Sequence, residues 1–255
     1  MTANLTAIIK TFERPRALDR LIRSIRRDYP DLPIIVGDDS FHPYRRTDVE
    51  YLRLPPDIGA SAGRNAMLHR VQTPLFLQLD DDFEFTEATN IERLVEVVES
   101  EQADLAGGDC IRCKKKLLGL ITRRKAAPYH GYMQVDGERL TLTRSVAAEP
   151  VHLCDIIAQF FVARVDDVLD VGGWDAELKT EEHEEFFLRL CRHGLQPAFC
   201  PDVQLLHWND RPRFYRRFRG RDYRPLAAER MGITSWTDFD GRTSTFPGEP
   251  LRGAA

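Results

Sequence analysis

Short, mainly apolar runs alternate with polar segments through the first part of the chain. These runs occupy residues 5–9, 34–37, 51–54 and 75–79 and contain several β-branched side chains. Runs of this length, bounded by polar residues, are typical of strands buried inside a sheet. We therefore predict four strands in this part of the chain.

Between and after these strands, apolar residues recur at the spacing of helical turns. The segment after the first strand predicts an amphipathic helix with arginines on its polar face and Pro15 in its first turn. Its apolar face consists of Leu18, Leu21, Ile22 and Ile25. A second helix is predicted to begin at Ser61. A third is predicted through residues 91–98, with Thr86 or Thr89 as its N-cap.

The resulting order, β-α-β-β-α-β-α, predicts a mainly parallel sheet covered by helices. Ligands of such sheets bind at the carboxyl ends of the strands. Polar clusters lie at these positions in the sequence, at residues 11–14, 38–40 and 80–82. We therefore expect the functional site at this edge of the sheet.

The second half of the chain is less regular. The predicted elements are a hairpin over residues 132–142 that turns at Asp136 and Gly137, a strand at 156–163, a short helix at 165–169 that ends at Gly172 and Gly173, a helix at 184–192 stopped by Gly194, and a strand at 203–206. From about residue 211 the sequence is rich in Arg, Pro, Gly and Thr, which predicts an irregular tail.

Composition and charge narrow the class of protein. The chain has 255 residues, 42% of them apolar and 30% charged, as in ordinary globular proteins, and a net charge of −4 gives no indication of a nucleic-acid partner. No apolar run has the length of a membrane span, and no signal-peptide pattern is visible. The five irregularly spaced cysteines predict reduced thiols and a cytoplasmic location. Cys110 and Cys113 form a lone C-x-x-C, which lacks the second pair of a zinc site.

Three adjacent carboxylates, Asp80, Asp81 and Asp82, follow the fourth predicted strand. Their mutual repulsion is unfavourable unless a cation offsets it. Alternate residues of an extended chain point the same way, so Asp80 and Asp82 can converge on one site. Mg²⁺ and Mn²⁺ prefer such oxygen ligands together with substrate phosphates. The alternative is an acidic cap for the next helix, but capping does not need three acids.

Five segments, taken in order, resemble the inverting family 2-type glycosyltransferases. They are AIIKTFERP at residues 7–15, IIVGDDS at 34–40, GASAGRN at 59–65, LDDD at 79–82 and VGGWD at 171–175. The resemblance implies an α/β GT-A glycosyltransferase fold, with a mainly parallel, Rossmann-like sheet flanked by helices and an acceptor-side half. It also implies a nucleotide-sugar donor and Mn²⁺ or Mg²⁺ as cofactor.

A narrower resemblance lies in EHEEFF, residues 182–187. This segment is similar to the H-x-E-F-F segment of β-1,4-N-acetylgalactosaminyltransferases and departs from the commoner E-D-x-x-L pattern, because His183 fills the usual aspartate position. The resemblance divides the chain into a nucleotide-sugar-binding half at residues 1–105, an acceptor-binding half of the same domain at 106–210, and a basic tail at 211–255.

The resemblance also assigns donor-binding roles. The expected donor-binding residues are Thr11, Arg14, Asp38, Asp39, Arg64, Asn65, Asp80, Asp81 and Trp174. Some have simpler explanations: Asp38 and Asp39 are also typical of a capped turn, and Arg14 of a solvated helix start. Trp174 is equally typical of a core residue.

Metal ligands and a general base are expected as well. The resemblance implies Asp82, Asp80 and His207 as metal ligands, although a lone histidine is often structural. A base must deprotonate the acceptor hydroxyl, and carboxylate repulsion at the start of a helix can raise a pKa to a suitable range. We expect Glu185 or Glu182 as the base, with His183 beside it. The alternative is an acidic helix start that the helix dipole favours.

The sequence therefore predicts a metal-dependent inverting glycosyltransferase. It would move a hexose or N-acetylhexosamine, GalNAc by preference, from a UDP-sugar to an acceptor glycan. One alternative is a nucleotidyltransferase, but the glycine-rich loop expected after its first strand is absent. Another is a non-catalytic glycan-binding protein on a GT-A fold. Acceptor identity and oligomeric state stay open.

Two basic stretches add an expectation about partners. They are residues 112–116 with 123–125, and residues 211–224, where arginines and aromatic side chains interleave. We expect them to attract an acidic or lipid-linked acceptor, or to make a peripheral contact with the inner face of an anionic membrane. The alternative is an ordinary solvated charged surface.

Overall fold

The computed structural model describes residues 2–116, 121–126, 128–208 and 212–247. After a 3₁₀ turn at Thr2–Asn4, the strands are β1 Leu5–Thr11, β2 Ile34–Asp38, β3 Glu50–Arg53, β4 Leu75–Asp80, β5 Phe83–Glu84, β6 Leu105–Lys116, β7 Ile121–Ala126, β8 Gly131–Asp136, β9 Arg139–Arg144, β10 His152–Leu153, β11 Phe161–Arg164, β12 Pro197–His207, β13 Ser235–Thr237 and β14 Thr243–Thr245. The helices are α1 Pro15–Asp28, α2 Ala60–Leu68, α3 Ile91–Glu99, α4 Val165–Asp170, α5 His183–Arg192, α6 Arg213–Arg219 and α7 Arg224–Met231.

A large central sheet has the strand order β10-β12-β6-β11-β4-β1-β2-β3, with β5 paired to β12 and β7 paired to β6. The four strands of the first half, β1 to β4, pair in parallel as predicted. Strand β11 then enters between β4 and β6 antiparallel to both, while β12 pairs in parallel with β6. The sheet is therefore parallel where the first half builds it and mixed beyond β4.

Apolar side chains fill both faces of this sheet. The predicted apolar face of α1 is fully buried and packs in one core cluster with strands β1 and β4. A second cluster, on the other face, contains Phe76, Trp174 and Phe186. Because both faces are covered, the predicted strands read as near-continuous apolar runs. The predicted GT-A-like fold, a large sheet flanked by helices, is confirmed.

Two local predictions are wrong. The N-cap of α3 is Asn90, whose side chain accepts the Arg93 N–H at 3.0 Å. Thr89 is unavailable as a cap because its hydroxyl donates to the Gln204 carbonyl and accepts from the Thr86 N–H. The strand predicted at 156–163 is limited to β11, Phe161–Arg164. The residues before it are buried and mostly apolar, and of them Ile156 forms an isolated antiparallel bridge with Gly131 of β8.

The predicted irregular tail is also wrong over the part that the structure describes. It contains α6, α7, β13 and β14, and β13 pairs in parallel with β9 to form a second, four-stranded sheet. Ala227, Ala228 and Met231 of α7 are buried against Leu188 of α5 and Leu140 of β9. This apolar contact gives the segment its regular structure. Residues 209–211 and 248–255 lie outside the described ranges, and the proposed division of the chain stays a prediction.

Within the described ranges, no helix is both long enough and apolar enough to cross a membrane.

Candidate active site

The carboxyl ends of β1 and β4 meet the beginnings of α2 and α5 around connected cavities. An inner cavity of about 160 Å³ is lined by Lys10, Thr11, Phe12, Arg14, Ala60, Arg64, Asp80, Lys179, Thr180, Glu182, Tyr215 and Arg219. A central cavity of about 360 Å³ shares Asp80, Thr180, Tyr215 and Arg219 with it. A side cavity of about 430 Å³ shares Arg112, Tyr129 and Glu184 with the central cavity. A larger cavity, at the opposite edge of the sheet, contains none of the predicted site residues.

The acidic triplet is held by arginines. Asp81 is fully buried, accepts the Thr11 hydroxyl at 2.6 Å and pairs with Arg14. Asp82 accepts from Arg14 Nη1 at 2.8 Å, and Asp80 accepts from Arg64 Nη2 at 3.0 Å. Burial raises the pKa of Asp81 to about 6, against the opposing effect of Arg14. Asp81 therefore anchors Arg14 and Thr11, while Asp80 faces both the inner and the central cavities.

Asp82 and His207 converge as predicted. Asp82 Oδ2 and His207 Nε2 lie 3.5 Å apart, and His207 lines the central cavity together with Asp80. Burial opposes ionisation of Asp82, but Arg14 and His207 together hold its pKa well below the usual range. The next residue, Trp208, fixes this corner, because its backbone N–H donates to the Asp82 carbonyl and its indole N–H donates to Glu84.

Cations that sequence reasoning missed line the inner cavity. Lys10 pairs with the buried Asp39, and burial lowers the pKa of this lysine to about 8. Arg219, on α6, pairs with Asp39 and Asp57 at 2.5 Å each. Its guanidinium lies 4.3 Å from the centre of the Phe12 ring. The Tyr215 ring covers Arg14 in the same way, at 4.4 Å. Helix α6 therefore closes one side of the inner cavity.

Asp38 and Asp39 belong to the framework of the cavity and do not line it. Asp38 accepts from the Ser40 N–H, the Tyr44 N–H and the Tyr51 hydroxyl, each within 3.0 Å. These bonds support the capped-turn reading of Asp38. Asp39 holds Lys10, Arg219 and the Gly59 N–H in place.

Arg64 lies where the prediction places it, but Asn65 and Trp174 do not. Arg64 is buried and bridges Asp80 and Glu182, so it faces the inner cavity. Asn65 instead bonds both the N–H and the carbonyl of Trp174. The Trp174 side chain is 1% exposed and stacks on Phe186 at 4.5 Å. The expectation that Trp174 contacts a sugar is therefore wrong, because its ring is part of the core.

The acidic start of α5 separates its carboxylates by environment. Glu185 pairs with Arg189 of the same helix through two contacts of 2.7 and 3.0 Å, and it lines none of these cavities. The expectation that Glu185 is the base is therefore wrong. Successive helical residues point about 100° apart, so Glu185 faces away from the cavities that its neighbours line. Glu182 pairs with Arg64 at the inner cavity. His183 lines the central cavity with its Nδ1 2.7 Å from Gln159 Nε2, and burial lowers its pKa to about 4.

Glu184 is a residue that sequence reasoning missed. It is 8% exposed, accepts a hydrogen bond from the Tyr129 hydroxyl, and lines both the central and the side cavities. Burial raises its pKa to about 7. One feature of the sequence argues against Glu185, the neighbour of Glu184, as the free carboxylate. Arg189 lies four residues after Glu185, a spacing at which helical side chains pair.

A comparison of the sequence with protein families decides the classification. The model of the family described as Glycosyl transferase family 2 matches residues 6–166, well over half of the chain. The chain belongs to glycosyl transferase family 2. The matched span contains the acidic triplet, Arg14 and Arg64.

Curated relatives of this family 2 chain are β-1,4 N-acetylgalactosaminyltransferases. The chain is 36% identical over 217 residues to enzyme 1 of Rattus norvegicus and 36% identical over 220 residues to that of Homo sapiens. It is 35% identical over 211 residues to enzyme 2 of Mus musculus. These alignments cover 80–81% of this chain and 39% of each relative, so the chain spans about two fifths of the relatives' length.

A solved structure shares the fold. The crystal structure of GalNAc-T7 with UDP, GalNAc and Mn²⁺ superposes with a TM-score of 0.61 and covers 93% of this chain and 49% of the other. Sequence identity is 14%, so this likeness concerns the fold alone.

The family 2 site fits a divalent cation held partly by substrate. Within the described ranges, no group of three or more His, Cys, Asp or Glu side chains is already assembled around one point. Asp82 and His207 nevertheless converge, and His207 shares the central cavity with Asp80, which also lines the cationic inner cavity. Mg²⁺ commonly takes only one or two protein carboxylates and completes its coordination with phosphate and water. The ligand set therefore suits a metal–diphosphate better than a metal alone.

Proposed function

We propose that the chain is an inverting, metal-dependent glycosyltransferase. It moves a hexose or N-acetylhexosamine, GalNAc by preference, from a UDP-sugar to an acceptor glycan. The observation that carries the proposal is the Asp82–His207 pair: His207 lines the central cavity with Asp80, and Asp80 also lines the inner cavity of Lys10, Arg14 and Arg219. Cations at this position stabilise a diphosphate leaving group. Membership of family 2 argues against the nucleotidyltransferase alternative.

Each part of the site has a role in this reaction. Lys10, Arg14 and Arg219 bind the diphosphate, and Arg64 holds Asp80 and Glu182 in position. Mn²⁺ or Mg²⁺, held by Asp82 and His207 with Asp80 beside them, would neutralise the charge of the departing UDP. In a single displacement, an α-linked donor gives a β-linked product.

A thermal-shift series with nucleotides tests the donor and the metal. UDP with Mn²⁺ should raise the melting temperature more than GDP or CMP with Mn²⁺, because a ligand of the native state stabilises it by mass action. Asp82→Asn should remove most of this shift, whereas the exposed Asp136→Asn should keep it. A larger shift with GDP or CMP would refute UDP, and an unchanged diphosphate affinity in Asp82→Asn would refute the metal ligand. Slow, Mn²⁺-dependent release of UDP from a UDP-sugar separates an active enzyme from a non-catalytic binding protein.

We also propose an acidic acceptor. Arg112 and Lys125 are opposite each other on β6 and β7, are both exposed and line the side cavity next to Tyr129. Like charges directly opposite in a β-ladder are unfavourable, and a bound anion relieves the repulsion. Residues 117–120, in the middle of this basic stretch, lie outside the described ranges.

A peripheral membrane contact, on the cytoplasmic side, is the third part of the proposal. Phe41 and Phe214 are 44% and 39% exposed, next to the exposed Arg216 and Arg217 of α6. Exposed aromatic and arginine side chains together are typical of surfaces that bind anionic lipid. Such a contact would suit a lipid-linked acceptor. The five cysteines are free thiols, which supports a reducing compartment.

One binding experiment separates the two surfaces. Affinity for anionic glycans should fall with added salt and in Arg112→Gln with Lys125→Gln, while Phe41→Ser with Phe214→Ser leaves it unchanged. Affinity for phosphatidylserine vesicles should fall in Phe41→Ser with Phe214→Ser and should be unchanged in Arg112→Gln with Lys125→Gln. Salt-independent binding in both arms would contradict the electrostatic part of the proposal.

A further inference from the structure

Three of the four glutamates at the start of α5, Glu182, Glu184 and Glu185, differ in what they contact; the fourth, Glu181, also lines the central cavity. Glu182 pairs with Arg64, and Glu185 pairs with Arg189. In the described part of the chain, Glu184 has no ion-pair partner within 4.0 Å; its contact is the Tyr129 hydroxyl. A carboxylate committed to an arginine is a weak base, because the ion pair favours its charged form. Glu184 is the carboxylate of the three whose proton affinity is not suppressed in this way.

Glu184 also lies where two substrates would meet. It lines the central cavity together with Asp80 and His207, and the side cavity together with Arg112 and Lys125. The inner cavity, which we assign to the donor, shares the lining residues Asp80 and Thr180 with the central cavity and is therefore its neighbour. An acceptor in the side cavity would therefore reach the donor sugar past Glu184.

We propose, on the basis of the transferase function above, that Glu184 is the general base of the transfer and that Tyr129 positions it. The acceptor oxygen forms a bond to the anomeric carbon while the bond from that carbon to the diphosphate oxygen breaks. The electron pair of the breaking bond leaves with UDP, and the hydroxyl proton passes to a Glu184 carboxylate oxygen. Solvent removes this proton after the product leaves.

The surroundings of Glu184 suit this role. Burial raises its pKa to about 7, Glu181 and Glu182 act in the same direction, and the Tyr129 hydroxyl opposes them. Other groups face it across the two cavities. The cations are Arg112, Lys125, Arg144 and Arg219; the acids are Asp80, Asp238 and Asp240; the histidines are His183 and His207. A base with a pKa near the working pH combines a usable deprotonated fraction with a strong proton affinity.

Turnover of single variants tests the assignment. Glu184→Gln should lower transfer by roughly 10²- to 10⁴-fold, the usual effect of losing a general base, and should keep UDP affinity. Glu185→Gln, its matched neighbour outside the cavities, should keep transfer. Glu182→Gln should weaken UDP-sugar binding, because it frees Arg64. Glu184→Asp, which keeps a carboxylate, should retain more activity than Glu184→Gln.

The pH profile tests Tyr129. The wild-type rate should rise with pH through about 7 as Glu184 deprotonates, and Glu184→Gln should lose this limb. Tyr129→Phe removes a bond that favours the carboxylate, so the limb should move to higher pH. A purely structural role of Tyr129 would lower the rate without moving the limb.

The outcomes separate this proposal from the one on which it rests. If the wild type transfers sugar and Glu184→Gln, with normal UDP affinity, transfers nearly as fast, Glu184 is not the base. If the wild type does not release UDP from any UDP-sugar tested, the proposed transferase function itself is refuted. Retained UDP affinity in Glu184→Gln shows that the variant is folded; if it does not fold, the Glu184→Asp comparison and the Tyr129→Phe profile decide.

Discussion

At the start of α5, two adjacent glutamates have different surroundings. Glu184 and Glu185 are adjacent in sequence, yet one faces two cavities and the other pairs with Arg189. A helix turns by about 100° per residue, so one step along the chain moves a side chain to a different environment. A carboxylate cluster in a sequence therefore identifies a site without identifying the member that acts.

The placement of Glu184 has a consequence for stability. Its pKa rises from the ordinary 4.5 to about 7 in the folded protein, mainly through burial. Between these pH values the folded state keeps a proton that the unfolded state releases, so this group's stabilising contribution is complete below about pH 4.5 and is lost as pH rises to about 7. Glu184→Gln, which never ionises, should exceed the wild type in stability at pH 8 by a few kcal/mol, since one pKa unit is about 1.4 kcal/mol.

Urea unfolding at pH 5 and pH 8 measures this difference. The advantage of Glu184→Gln should be larger at pH 8 than at pH 5. Glu185→Gln provides the control, because it loses the Arg189 pair and should show no such gain. An equal difference between Glu184→Gln and the wild type at both pH values would contradict the raised pKa.

At the scale of elements, helix α6 is the part of the candidate site that the sequence patterns did not predict. Its composition, RFYRRFR, is that of a charged tail, although Phe214 and Phe218 stand at helical i,i+4 spacing. The helix is anchored by a buried arginine: the Arg219 side chain is 5% exposed and reaches Asp39 and Asp57. These partners lie far earlier in the chain, and no local pattern connects them to α6.

Replacing this anchor should loosen α6 and destabilise the protein. Arg219→Gln leaves the buried Asp39 and the partly buried Asp57 short of a partner, and breaking a buried ion pair typically costs about 3–5 kcal/mol. Lys10 still pairs with Asp39 and Lys179 with Asp57, so we expect about 3 kcal/mol, the lower end of that range. The exposed Arg217→Gln on the same helix should change the free energy of unfolding by less than about 0.5 kcal/mol. Equal effects of the two substitutions in urea unfolding would show that Arg219 does not anchor the helix.

At the scale of the whole molecule, sequence patterns predicted the structure formed between segments that are close together in the chain. The parallel strands β1 to β4, the helices between them and the edge that carries the acidic triplet follow from hydrophobic periodicity and strand order. The antiparallel entry of β11 between β4 and β6, and the pairing of β13 with β9, join segments that are distant in sequence. Their registers depend on tertiary packing, which periodicity does not encode.

The candidate site divides in the same way. Asp80, Asp82, Arg64 and His207 were predicted and do lie together, whereas the bridge from Arg64 to Glu182 spans 118 positions and the bond from Tyr129 to Glu184 spans 55. A sequence motif marks which residues come to a site. It does not state which of them are already committed to each other.

The position of Trp208 offers a way to detect metal binding at the proposed site by fluorescence. Trp174 and Trp236 are buried in apolar cores, while Trp208 is half-buried and directly follows His207, one of the proposed metal ligands. Its backbone N–H is bonded to the Asp82 carbonyl and its indole N–H to Glu84, so two hydrogen bonds hold it next to the corner where the ion would bind. Indole emission responds to nearby charge, and paramagnetic Mn²⁺ quenches it where diamagnetic Mg²⁺ does not. The chain therefore carries an intrinsic fluorescent reporter at the point where its cofactor would bind.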